Sequence, residues 1–216
     1  MTRRGVFITF EGPEGSGKST QLSTLAMKLR GMGREVVETH EPGGTPIGTQ
    51  IRHVLLDSSN RELCSTAELL LMFASRAQNV DQLILPALSA GQVVLCDRFT
   101  DSTLAYQGAA RGLGAEVVYE LDRIACRGLV PDLTVLIDID ADTGLERARR
   151  RNDRTHDSDS RMEEQAVTFH RKVREAYRQI ASDETRRVRL IDGARTREAV
   201  AADVWSAIES VLGSAE

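Results

Sequence analysis

Five short runs rich in β-branched residues, at 6–11, 35–39, 93–97, 133–138 and 188–192, alternate with longer stretches in which apolar residues return every three or four positions. The short runs have strand length and the long ones helical period. Alternation of this kind predicts an α/β fold, a five-stranded parallel sheet with helices on both faces. Val93-Val94-Leu95-Cys96 and Leu133-Thr134-Val135-Leu136-Ile137 are almost continuously apolar, as strands covered on both faces must be. In open parallel sheets ligands gather beyond the carboxyl ends of the strands. Glu11, Asp97, Asp138 and Asp192, which close four of the runs, are therefore expected along one edge.

The chemistry of that edge begins at residues 12–20, GPEGSGKST, set between the first strand and a helical stretch starting near Gln21. This is the G-x-x-x-x-G-K-[ST] pattern of a phosphate-binding P-loop. Its glycines let successive backbone N–H groups face one anion at a helix N-terminus. In such a loop the lysine, here Lys18, reaches the β- and γ-phosphates and the hydroxyl of Ser19 ligates Mg²⁺.

Composition narrows the ligand. The 216 residues are 41% hydrophobic with a formal net charge of −4, which suits one well-buried domain and gives no global basic field for a nucleic-acid polymer. Cys64, Cys96 and Cys126 are odd in number, far apart and without C-x-x-C spacing, so neither a disulfide framework nor a zinc site is expected. The apolar stretch after Arg3 and Arg4 has strand length and runs straight into the glycine loop. It matches neither a signal peptide nor a membrane span, and a cytoplasmic protein without membrane attachment is expected.

Four further constellations stand beside the P-loop in this reading. Glu41-Pro42-Gly43-Gly44-Thr45 follows the second strand, with Arg52 on a helix predicted over 47–56; alone it fits a plain turn as well as a site. Asp97-Arg98 ends the third strand, where a carboxylate holds Mg²⁺ through water and an arginine grips a phosphate, or the two form a structural ion pair. The helical stretch 67–78 carries Met72, Phe73 and Arg76 at spacings that bring apolar surface and cation together, either under a planar base or in the core. Lastly, 146–164 is rich in arginine, including Arg147 and Arg151 four apart, a solvated face or, beside a P-loop, a mobile lid that neutralises phosphoryl-transfer charge.

Together these residues resemble the thymidylate kinase family: FEGPEGSGKST at 10–20, EPGGT at 41–45, DR at 97–98, AYQG at 105–108, PDLT at 131–134 and RME at 161–163. The resemblance runs through nearly the whole chain. It implies a P-loop nucleoside monophosphate kinase fold, one domain over 1–216 with an arginine-rich lid at about 147–161, a homodimer, and transfer of phosphate from ATP to dTMP with Mg²⁺. Gly12, Pro13, Glu14, Gly15, Ser16 and Gly17, with Lys18, Ser19 and Thr20, would hold the ATP phosphates, and Asp192, Gly193 and Ala194 would lie along the adenine. Glu41, Pro42, Arg52, Arg98 and Ser102 would surround the dTMP phosphate, with Glu14 near its sugar. Arg76 would donate to thymine O4, Tyr106 would fill the place of a ribose 2′-hydroxyl, and Gln107 would border the base. Ser19 and Asp97 would organise Mg²⁺. Lys18, Asp97, Arg98, Arg147 and Arg151 would be the catalytic set, because Gly15 occupies the position where another class of the family carries its P-loop arginine.

The sequence departs from the family pattern in three places. The usual stacking aromatic stands four residues before the thymine-binding arginine, a position held here by Met72 with Phe73 next to it. Ala109-Ala110-Arg111-Gly112 replaces a glycine-richer stretch, and the lid carries extra residues at about 153–159 with Ser160 in place of an Asp. The rival readings are a kinase for another deoxy-pyrimidine monophosphate and a P-loop ATPase switch. No guanine-specifying N-K-x-D sequence is present.

Overall fold

The computed structural model describes residues 4–155 and 161–213. Its centre is a parallel sheet of β1 (Phe7–Glu11), β2 (Val36–His40), β3 (Val93–Asp97), β4 (Leu133–Asp138) and β5 (Val188–Asp192), in the order β2-β3-β1-β4-β5. Each observed strand overlaps its predicted run, with shifts of a single residue at the ends of β1 and β2. The three inner strands are buried almost throughout, while the edge strands β2 and β5 alternate with exposed positions. That difference explains why the inner runs read as continuous apolar segments and the outer ones do not.

Helices cover both faces. On one side α1 (Lys18–Gly31) and α9 (Arg197–Gly213) bury Leu22, Leu25, Leu29, Val204 and Ile208 against Ile8, Phe10 and Leu95. On the other, α3 (Ser65–Asn79), α4 (Leu85–Ser89) and α6 (Ala115–Cys126) bury Leu69, Phe73, Leu88 and Val118 against Phe7 and Val94. A third apolar cluster joins α2 (Pro46–Leu56), the π-helical run Leu104–Ala110 that continues α5 (Thr100–Thr103), and α8 (Val167–Asp183). A further helix, α7 (Ala141–Thr155), leaves the end of β4. The EPGGT motif doubles as the start of α2: the Thr45 hydroxyl accepts from Gly48 N at 3.0 Å and Pro46 takes the first helical position, a capped N-terminus by composition.

Strand register sets the functional edge. Phe10 pairs with Asp97, Glu11 with Leu136 and Asp138 with Asp192. The chain leaves β1 toward β2 and β3, then crosses to β4 on the other flank of β1. Such a reversal opens a crevice above the strand ends, and the P-loop follows β1 directly into it.

Candidate active site

A cavity of about 750 Å³ lies at this edge, walled by the P-loop, the ends of β2 and β3, and side chains from α2, α3 and α7. On its P-loop side Gly12 has φ 138° and its Cα faces the Ile137 carbonyl, 2.2 Å from where a Cβ would stand. Only glycine lets the loop cross β4 so closely. Lys18 turns back over the loop, its Nζ donating to Gly12 O at 3.0 Å and Pro13 O at 2.9 Å. Burial, and then the Arg98 charge, push its ammonium down to about 8. Asp97, Glu14 and Glu11 pull the other way without outweighing burial, so an arriving phosphate would meet a buried cation that its surroundings only partly stabilise. Ser16 Oγ is buried without a partner, and Ser19 Oγ donates to Asp97 Oδ2 at 2.5 Å.

Arg98 dominates the opposite wall. Its backbone is left-handed, φ 71°, a conformation unfavourable for a residue with a Cβ. Its Nη2 donates to Glu14 Oε1 at 2.7 Å and Tyr106 OH at 3.2 Å; Nη1 donates to Ser102 Oγ and Tyr177 OH, each at 3.1 Å, and to Gly12 O at 3.3 Å. Burial pushes the Glu14 carboxyl up, but Arg98, Lys18 and the Tyr106 hydroxyl outweigh it and hold the group down at about 2.

Deeper in, Arg76 is 2% exposed and sits between the rings of Phe73 and Phe99, 4.9 and 5.0 Å from their centroids. Its Nε donates to Glu41 Oε2 at 2.6 Å and its Nη2 to Thr103 Oγ1 at 3.0 Å, while its Nη1 has no partner among the described residues. A buried guanidinium nitrogen without an acceptor is costly, and Arg76 is one of the residues that line the cavity. The arrangement offers one fixed donor to a ligand acceptor such as a base carbonyl.

Comparison with known proteins agrees with this geometry. A family profile described as "Thymidylate kinase" matches residues 10–204. Proteins named thymidylate kinase from Pelobacter propionicus and Solidesulfovibrio magneticus are 52% and 47% identical, over 88% and 96% of this chain and 87% and 100% of their own. The chain belongs to the thymidylate kinase family. The crystal structure of thymidylate kinase from Ehrlichia chaffeensis superposes with a TM-score of 0.76 at 31% identity, covering 95% of this chain and 99% of that one. The sheet and its flanking helices thus form a P-loop nucleoside monophosphate kinase fold.

Within this member of the thymidylate kinase family the predicted residues fall into distinct groups. Glu14, Gly15, Lys18, Ser19, Thr20, Pro42, Arg52, Met72, Arg76, Ser102, Tyr106, Gln107 and Arg147 line the one cavity with Asp97 and Arg98. Of the Met72 and Phe73 pair, Met72 faces the cavity; Phe73 is 4% exposed and packs in the core with Leu69 and Phe99. The helical period forces that division, since adjacent positions are about 100° apart. Glu41 lines the cavity, but its carboxylate is held by Arg76 and by Asn79 Nδ2 at 3.1 Å. It orients the deep arginine and adds no attraction for a phosphate. Gly193 closes against Ser16 O and Asp138 O, Asp192 Oδ1 accepts from Ala194 N at 2.9 Å, and Arg147 Nη1 reaches Gly193 O at 3.3 Å. Those contacts join the start of α7 to the P-loop.

The lid expected at about 147–161 is covered only in part by the described residues. Residues 156–160 and the side chains of 151–155, Arg151 and Arg154 among them, lie outside those described. Arg161 is 5% exposed and does not face the cavity: its Nε donates to Leu55 O at 2.5 Å and its Nη2 to Glu68 Oε2 at 2.7 Å. Arg111, within the departing AARG stretch, also donates to Glu68, whose Oε1 accepts from Gln107 Nε2 at 2.8 Å.

Thr103, Glu68 and Tyr177 belong to the site or its support and are not singled out by the sequence, which places Glu11 at the functional edge without giving it a role. Thr103 carried a signal, directly after Ser102 on the same short helix. Tyr177 carried none, because α8 reaches the site only through packing.

Proposed function

We infer that the cavity holds two phosphorylated substrates at once, ATP across the P-loop and dTMP between Arg98 and Arg76. The enzyme is a nucleoside monophosphate kinase that transfers the γ-phosphoryl group of ATP to dTMP, giving ADP and dTDP. The observation that carries the site reading is the meeting of Lys18 Nζ and Arg98 Nη1 on the Gly12 carbonyl, at 3.0 and 3.3 Å. One cation comes from the P-loop side and the other from the acceptor side, so two anions would be drawn to adjacent positions.

A phosphate oxygen of dTMP attacks the γ-phosphorus as the bond to the ADP oxygen breaks. The acceptor phosphate is already largely ionised near neutral pH, so no strong base is needed, and Asp97 is read as a metal organiser. Lys18, Arg98 and Arg147 hold the two phosphates in line and cancel their repulsion. The metal fits the donor set: Ser19 Oγ and Asp97 Oδ2 present adjacent hard oxygens, and among the described residues no group of three His, Cys, Asp or Glu forms a protein cage. Mg²⁺ characteristically keeps waters and phosphate oxygens as its other ligands. Held by Ser19 and Asp97, it supplies charge neutralisation to the ATP phosphates.

Base choice is assigned to Arg76 Nη1, which would meet the O4 acceptor of thymine; the amino group of cytosine would oppose donor to donor. Met72 would cover one face of the base. Tyr106 OH, donating to Glu14 Oε1 at 2.9 Å, would stand where a ribose 2′-hydroxyl points. A homodimer is proposed through the outer face of α2 and α3, where Val54 and Leu70 are 46% and 52% exposed. Leu69 points inward. No helix among the described residues is long and apolar enough to cross a membrane; the cytoplasm, where ATP and deoxynucleotides meet, is the compartment proposed for the reaction.

The test is ADP formation from Mg·ATP with dTMP, dUMP, dCMP, AMP, GMP or thymidine as acceptor. A rate chiefly with dTMP that vanishes in Lys18→Ala supports the reading. Equal ADP release without any acceptor would sink the acceptor-site assignments. Sedimentation of Leu70→Glu at low concentration tests the dimer face; an unchanged dimer removes it.

A further inference from the structure

Glu11 ends β1 immediately before the P-loop, is 0% exposed and does not line the cavity. Unlike Glu14, Glu41 and Glu68, it forms no ion pair with an arginine among the described residues. Its Oε1 accepts from the backbone N–H of Phe99 at 2.7 Å and of Ser102 at 3.3 Å. Its Oε2 accepts from Ser102 Oγ at 2.5 Å and Tyr177 OH at 3.0 Å. The same two hydroxyls are the ones that meet Arg98 Nη1.

Counting hydrogens constrains this array. A guanidinium only donates, so both hydroxyls must accept from Arg98. Each then has one hydrogen to give, and the two hydroxyl oxygens also lie 2.7 Å from each other, so two hydrogens serve three contacts. An ionised Oε2 only accepts: one hydroxyl gives it a hydrogen, and the other gives its own to Oε2 or to its neighbour. A proton on Oε2, or an amide nitrogen in its place, adds a donor there and takes away the group that only accepts. The backbone contacts to Phe99 and Ser102 also pin the turn that keeps Arg98 left-handed.

We propose that Glu11 is a positioning residue for the acceptor-phosphate arginine, acting through the Ser102 and Tyr177 hydroxyls to hold Arg98 for dTMP. It rests on the reading of Arg98 given above. Burial first, and then the Asp101 charge, raise the Glu11 carboxyl from 4.5 to about 7. The groups that face it are Asp101 and Arg98 from the turn after β3 and from α5, Lys18 from α1, Cys96 from β3 and Tyr177 from α8. The array therefore loses its accept-only oxygen close to neutral pH.

The experiment is the KM for dTMP and for ATP from pH 5.5 to 8.5 in wild type, Glu11→Gln, Tyr177→Phe and Arg98→Lys, with melting temperatures alongside. The titration of dTMP is common to all four and cancels in ratios. The ratio of KM for dTMP, Glu11→Gln over wild type, is expected at about 10 at pH 8.5, falling toward about 1 below pH 6 as wild-type Glu11 takes up its proton. KM for ATP should stay within about twofold. A ratio that is flat with pH, or a KM for ATP that rises in step, overturns the proposal. Should Glu11→Gln fail to fold, Tyr177→Phe decides: a rise of about threefold in KM for dTMP alone supports it, and none overturns it. If Arg98→Lys leaves KM for dTMP unchanged, the phosphate role of Arg98 fails; if Arg98→Lys raises it and the other variants do not, this inference alone fails.

Discussion

Replacing Gly15 by alanine should slow phosphoryl transfer more than it weakens either substrate. Gly15 has φ 67°, and a Cβ there would stand 2.0 Å from Gly144 O and 3.1 Å from Arg147 Cβ. The clash is with backbone, so no side chain can swing aside. To reach even 3.0 Å the P-loop and α7 must part by about 1 Å, and Arg147, anchored on Gly193 O at 3.3 Å, moves with α7. A displacement of about 1 Å between reacting groups costs about 10²-fold. The expected result is a kcat lower by about 30- to 100-fold, with KM for dTMP within about threefold because Arg76 and Arg98 stay in place. The left-handed backbone adds strain of about 1–2 kcal/mol, which lowers Tm by about 2–8 °C in a chain of this size. Gly128→Ala is the control: it has φ 79° with nothing within 4 Å of its Cβ, so it should lose comparable Tm and keep its kcat. The assay is steady-state ADP release at saturating ATP and dTMP. A folded Gly15→Ala enzyme with kcat within threefold of wild type would refute the reasoning, as would a loss confined to KM for dTMP.

Arg76→Met should strip the buried Glu41 of its ion partner and destabilise by about 3–5 kcal/mol, read from urea midpoints; adding Glu41→Gln should restore a large part, and no restoration would argue against the pair. The neighbours Met72 and Phe73 should separate cleanly: Met72→Ala raises KM for dTMP by about threefold to tenfold through lost apolar contact, whereas Phe73→Ala costs about 3–5 kcal/mol of stability, and reversal of those two outcomes would exchange their roles. Glu14 is held at about 2 against an ordinary 4.5, so its contribution, on the order of 3 kcal/mol, is present above about pH 5 and lost as pH falls toward 2. Urea unfolding of Glu14→Gln should show a shallower loss between pH 5 and 3 than wild type. Glu11 has the opposite sign: its raised value makes the folded state bind the extra proton, so that group's effect is to lower stability as pH climbs from 4.5 to about 7.

Much of this enzyme was legible in order along the chain, because the features concerned are local. A strand buried on both faces must be apolar throughout, so 93–97 and 133–138 announced inner strands. A loop that wraps phosphate needs glycines, a lysine and a hydroxyl at fixed spacing, so 12–20 announced the P-loop. Side-chain partners were decided by tertiary structure, since they depend on which elements meet across 35 to 166 residues of chain. Glu41 reads as part of a phosphate site until α3 brings Arg76 and Asn79 onto it. Arg161 reads as a lid cation until the ends of α2 and α3 supply Leu55 O and Glu68. Tyr177 is one more apolar position on a helix until α8 packs its hydroxyl between Glu11 and Arg98. The sequence by itself determined the sheet, the phosphate loop and the kinds of charge at the strand ends, through periodicity and backbone torsion. Folding decided which arginines face substrate and which are buried in ion pairs, because a buried charge takes the partner that packing delivers to it.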